Sequence, residues 1–222
     1  MAIRILSLLG VASIASFLFA CTHVPLASAP ARVPLQAKAA GIQRVVSLVP
    51  DSRTDAESFR LDVPNSHIDA GGAEIRIRSS MERVLAVVRD FAEYKEILPR
   101  ITKSQVLGRR GPATDVYMEA PILRGLVRAW GVARFAAPQK WGEGGLQIEG
   151  KLVKGNLDGW WGTWKLQPCG DSCTMLRLEM FVEPSLPVPP ASVSEELEWA
   201  CDAAVTAVRD VVELGESTRK TD

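Results

Sequence analysis

The sequence predicts an α+β domain in which an antiparallel sheet of about seven strands packs with a long C-terminal helix. Two stretches, opening at Ser79 and at Ser192, place apolar residues at helical spacing behind capping-type residues. Between them lie six apolar segments of strand length, separated by Gly, Pro and Asp. The connections, such as residues 154–158, are short enough for antiparallel hairpins and too short for the crossovers of parallel βαβ units.

Composition narrows the function classes. The 222 residues hold 26 Lys and Arg against 26 Asp and Glu, so the formal charge is zero and no nucleic-acid partner is expected. A hydrophobic content of 47% supports a packed core, and the length suits one domain with additional segments. The two histidines, His23 and His67, are far apart, which disfavours a His-rich metal site and Ser–His or Cys–His relays. The sequence has no Gly-rich phosphate loop and no Gly-x-Ser-x-Gly elbow. The expectation is therefore no catalytic residues, no metal and no cofactor.

Taken in order, Arg4 precedes an uncharged apolar run over residues 5–19, shorter than the roughly 20 residues that span a bilayer, so residues 1–20 read as an export signal. Leu18-Phe19-Ala20-Cys21 resembles the bacterial lipobox. That resemblance implies cleavage before Cys21, lipidation of its sulfur and a mature chain of 202 residues held to a membrane by acyl chains. Thr22 after the cysteine implies sorting to the outer membrane, on the periplasmic side of the cell envelope. An ordinary cleaved signal with an incidental cysteine is the alternative. Residues 21–66 read as anchor and tether, rich in Ala, Pro and Ser up to Gly41. Two short apolar runs at 44–49 and 59–63 either add an edge strand or drape over the domain.

The domain is expected over residues 67–214, followed by a tail at 215–222. Residues 73–78 alternate as a strand, and Ser79 with Glu82 forms a capping box for a helix with Val84, Val87, Val88 and Phe91 on one face. Pro99 closes the helical region that carries Tyr94 and Ile97. Strands follow at 104–108, 115–119, 127–136, 146–153, 159–166 and 174–182. Ser192 and Glu195 then cap a second helix with a stripe of Leu197, Cys201, Ala204, Val208 and Val211, roughly 35 Å long. Cys169 and Cys173 bracket a Gly-Asp-Ser turn, where an oxidising compartment favours a disulfide over two free thiols. Cys201 reads as a small buried hydrophobe.

This order of elements resembles the START-like, or SRPBCC, superfamily, whose helix-grip fold wraps a curved antiparallel sheet around the last helix. Ser80-Met81-Glu82-Arg83-Val84, then residues 90–99 (Asp-Phe-Ala-Glu-Tyr-Lys-Glu-Ile-Leu-Pro), is similar to the opening helices of the coenzyme-Q-binding and polyketide-cyclase-like members. Gly162-Thr163-Trp164-Lys165-Leu166-Gln167-Pro168, with Gly170 and Thr174-Met175-Leu176, resembles their paired strands around a glycine turn. The resemblance implies a cavity between sheet and long helix.

Alternation nominates that cavity's lining: Trp130 and Val132; Leu146, Ile148 and Leu152; Trp160 and Trp164; Leu176, Leu178 and Met180. Gly150 and Gly162 leave room on the same face. The partner expected is a lipid, quinone or other hydrophobic small molecule, held for carriage, transfer or sensing. A cyclase-like or hydrolase-like enzyme needs Trp130, Arg134 and Glu119 around one substrate, and a protein-interaction module needs the core filled. Pro121-Ile122-Leu123-Arg124-Gly125-Leu126 reads as a lid, a membrane-dipping loop or a core strand.

Overall fold

The computed structural model describes residues 56–122, 125 and 127–219, so the signal, Cys21 and the tether up to residue 55 lie outside the described residues. The element order is β1 (Glu57–Leu61), β2 (Ala70–Ile77), α1 (Met81–Val88), α2 (Tyr94–Ile97), β3 (Lys103–Arg110), β4 (Ala113–Ile122), β5 (Val127–Phe135), β6 (Gln139–Trp141), β7 (Gly145–Gly155), β8 (Leu157–Gly170), β9 (Cys173–Pro184) and α3 (Pro190–Arg219). The strands form one antiparallel sheet ordered β1-β2-β9-β8-β7-β5-β4-β3, with β6 paired to β7. Two strands join the seven expected. The run near Phe59 is the edge strand β1, and β6 is a three-residue return before β7.

Both helix starts differ from expectation. Ser80, not Ser79, stands at the N-cap of α1 and makes no side-chain cap bond there. The Ser79 carbonyl instead accepts from the Thr174 hydroxyl at 2.9 Å, tying the β2–α1 junction to β9. The second helix begins at Pro190, ahead of Ser192, since proline suits a first turn in which its missing N–H has no partner to lose. Ser194 serves there as a connector: its hydroxyl accepts from the Asp69 N–H at 2.9 Å and donates to the Pro190 carbonyl. The buried stripe of α3 runs through Leu197, Cys201, Ala204, Val205, Val208 and Val212. Val211, expected in it, is 42% exposed because the helical repeat hands that position to Val212.

The grip depends on small residues in β2. Ala70, Gly71, Gly72 and Ala73 are all buried, with α3 on one side and Phe59 of β1 on the other. Beyond them, Ile75, Ile77, Ile148, Leu166 and Leu176 meet Val84 and Val88 of α1 and Val205, Val208 and Val212 of α3. Each such side chain contributes about 1.5–3 kcal/mol on burial. This end of the domain is a filled core. Cys169 and Cys173 are joined by a disulfide across the β8–β9 turn, with Cα atoms 5.0 Å apart.

Candidate functional site

Between the other half of the inner sheet face and the first turns of α3 lies a cavity of about 170 Å³. Residue size explains why space remains at this end. Ala120, Ala129, Gly131 and Ala133 of β4 and β5, with Ala200 of α3, stand where the opposite end has Ile, Leu and Val. The volume resembles that of an engineered apolar cavity of about 150 Å³ that holds benzene, and is below the about 300 Å³ of sites for drug-sized ligands. It matches a one- or two-ring body or part of an acyl chain, and a larger ligand requires widening at the mouth.

Six nominated residues border the cavity: Trp130, Leu152, Trp160, Trp164, Leu178 and Met180. Ile148 and Leu176 share the inner face but are fully buried in the filled core, and Leu146 lies farther along β7, paired with Leu166. The period-two pattern found their face but not their position along it. For β5 the face itself was misassigned. Register pairs Ala129, Gly131 and Ala133 with Ala120, Met118 and Val116, so the small residues point inward. Val132 stands opposite Tyr117 on the outer face, and the Trp130 ring, 38% exposed, lies 6.3 Å from that of Tyr117. Trp130 borders the cavity from a strand position whose side chain faces outward.

The two nominated glycines also divide. At Gly150 the room is occupied, since a Cβ there would lie 2.6 Å from the Phe135 ring and 3.1 Å from Trp160. Gly162 lines the cavity beneath the edge of the Trp160 indole, 3.2 Å from a notional Cβ. Phe135 stacks on Phe91 at 4.4 Å and meets Trp160 edge-on at 6.0 Å, forming an aromatic wall between filled core and cavity.

Among the described residues three ionisable side chains line the space, and none of them was nominated from the sequence as a site residue. Tyr94 donates its hydroxyl to the Val88 carbonyl at 2.6 Å. Burial, the dominant cause, pushes its phenol above the usual range. Arg100 and Glu196 form an ion pair at 3.1 Å, and Arg100 lies over the Trp199 ring at 4.5 Å. Arg100 also reaches the Pro121 carbonyl, so it joins α3 to the end of β4 at the mouth. The available signal was Glu196 lying beside Leu197 and one turn before Ala200, a charge at the border of an apolar stripe.

Glu119 and Arg134 occur on the outer face, as Trp130 does, and the three do not surround the cavity. The Glu119 carboxylate accepts from the Tyr117 hydroxyl and from Lys103 at 2.9 Å, and these hold it below the usual carboxylate range. Asp115 is held low by the Arg134 guanidinium, whose two bonds measure 2.7 and 2.9 Å, with Arg110 adding to it. Of the segment read as a lid, a membrane-dipping loop or a core strand, Pro121 and Ile122 end β4 and border the cavity, while Leu123, Arg124 and Leu126 lie outside the described residues.

A family model described as "Polyketide cyclase / dehydrase and lipid transport" matches residues 77–209. No curated protein matches the chain. Among solved structures, a STAR-related lipid transfer protein fragment from Xanthomonas axonopodis is 18% identical, with a TM-score of 0.64 over 73% of this chain and 96% of that one. A START superfamily protein from Mycobacterium smegmatis is 22% identical, with a TM-score of 0.55 over 65% and 97%. Human STARD10 is 12% identical, with a TM-score of 0.62 over 77% and 74%. At these identities the likeness shows the START-like helix-grip fold.

Proposed function

The chain belongs to the polyketide cyclase/dehydrase and lipid transport family, and from that membership we propose that its domain holds one hydrophobic small molecule between sheet and α3, for carriage or transfer without chemistry. The observation that carries this reading is the cavity itself, an apolar space bordered by Trp160, Leu178, Met180 and Leu197. An apolar ligand gains about 25 cal/mol for each Å² removed from water there. Its charged lining, Arg100 and Glu196, is mutually neutralised. The START-like neighbours include STAR-related lipid transfer proteins, which supports the same class of ligand. A cyclase reading finds less support, because Glu119 and Arg134 face away from the cavity.

The proposal includes the cell context read from the sequence. Residues 1–20 direct export, Cys21 carries lipid, and the domain stands on the periplasmic side of the bacterial envelope, tethered to the outer membrane. The ligand is then carried within reach of a bilayer.

The test is a titration with a neutral fluorescent naphthylamine, comparing the wild type with Ala200→Phe, which places a ring in the cavity from α3. Saturable binding that weakens about tenfold in the variant, equivalent to about 1.4 kcal/mol, supports the reading. Equal binding by both proteins contradicts it.

A further inference from the structure

We propose that the outer face of β3, β4, β5 and β7 docks on an anionic bilayer surface. Register places Lys103, Arg110, Arg128, Arg134, Lys151 and Lys154 on this face, against the carboxylates of Asp115, Glu119 and Glu149. The chain as a whole is neutral, so three excess positive charges have been gathered on one side of the sheet.

Burial sharpens the asymmetry. The Glu119 side chain is 8% exposed, while its partners Lys103 and Arg128 are 61% and 72% exposed. Asp115, similarly covered, lies beneath Arg110 and Arg134. Each covered carboxylate thus pairs with the charged heads of two cations whose side chains remain much more exposed than it is, so an approaching surface meets positive charge first. Exposed apolar groups accompany these cations: Trp130 on the same face, Leu107 in the irregular part of β3, and Val153 at the β5–β7 register shift.

Cations with an exposed indole and aliphatic groups fit the headgroup boundary of an anionic membrane, where phosphates take the charge and the interface takes Trp. A nucleic acid supplies the phosphates but no apolar layer for Leu107 and Val153. Arg128 pairs in register with Pro121 at the mouth, so the docked bilayer lies beside the opening. Its use for ligand exchange rests on the proposed function; the docking does not.

The experiment uses the full chain and vesicles of phosphatidylcholine alone or with 30% phosphatidylglycerol, each carrying bromine near the headgroup. The readout is quenching of Trp130 fluorescence, taken as wild type minus Trp130→Phe, because the apolar run at residues 5–19 can attach the chain to any vesicle. Neutralising Arg128, Lys151 and Lys154 to Gln leaves Lys103, Arg110 and Arg134 on the buried carboxylates, and none of the three altered residues lines the cavity. Trp130 is expected to be quenched by the anionic vesicles, with salt suppression and an apparent affinity lower by about tenfold or more in the triple variant. Equal quenching in zwitterionic vesicles, an unchanged triple variant, or no quenching in either vesicle overturns the proposal. Naphthylamine binding by the triple variant is measured alongside, so failure of the docking face and failure of the cavity reading are told apart.

Discussion

The α3 backbone at Leu197 rests directly on Gly71 of β2: a Cβ on Gly71 would lie 2.3 Å from the Leu197 carbonyl carbon. Cys201, one turn later, donates its thiol to the Gly71 carbonyl at 3.4 Å. The same turn supplies Leu197 and Ala200 to the cavity, so the contact that holds the helix on the sheet also sets the cavity's height.

Gly71→Ala is therefore expected to destabilise the fold by about 1–3 kcal/mol through overpacking against backbone that has no rotamer to change. Urea unfolding measures it, as a lowered midpoint at unchanged slope. A midpoint equal to that of the wild type would mean that α3 is not seated on β2 in this way.

Tyr94→Phe removes the donor to the Val88 carbonyl while preserving the ring contacts with Phe91 and Phe135. Leaving that buried carbonyl without its side-chain donor is expected to cost about 1–3 kcal/mol. Thermal unfolding of the variant checks this, with a lower Tm expected and an unchanged Tm contradicting the assigned bond.

Acid stability follows from the outer-face carboxylates. Asp115 and Glu119 are held below their ordinary values in the folded state, so the unfolded chain binds more protons in that range and stability rises with pH. Their contribution is complete above the unfolded carboxylate range of about 3.9–4.3 and is lost as pH falls through the lower folded values. In Asp115→Asn the pH dependence of the urea midpoint between about pH 5 and pH 2 is expected to be shallower than in the wild type. Identical slopes would contradict the ion pairing.

Cys201 is fully buried, and burial, with a smaller contribution from Glu179, pushes its thiol up to about 12. It stays protonated at neutral pH, and the thiolate is the reactive form. Iodoacetamide at pH 8 is expected to leave Cys201 unmodified in the native protein and to label it in urea; rapid native labelling would show that α3 lifts readily from β2.

Much of the fold was legible because alternation and punctuation are local properties. Trp160, Trp164, Leu178 and Met180 declare one face of β8 and β9 by spacing alone. The cavity's position was not legible, since it depends on which inward residues meet small partners across the domain. Ile148 and Leu176 have the same pattern as Leu178 but oppose a valine-rich length of α3. On β5 the large residues misled: Trp130 and Val132 are more apolar than Ala129, Gly131 and Ala133, yet the small set faces inward. Arg100 and Glu196 meet only when the link after α2 and the start of α3 come together at the mouth, a pairing across 96 residues that no local pattern contains.

The central claim, that the space between Trp160, Met180 and Ala200 is occupied by an apolar molecule, is tested most directly by native mass spectrometry of the protein purified from its native cells, followed by organic extraction of what it carries. The account predicts a stoichiometric adduct that is released by solvent, is hydrophobic, and is absent from Ala200→Phe. A bare protein mass that stays unchanged after incubation with total membrane lipid and quinones would contradict it.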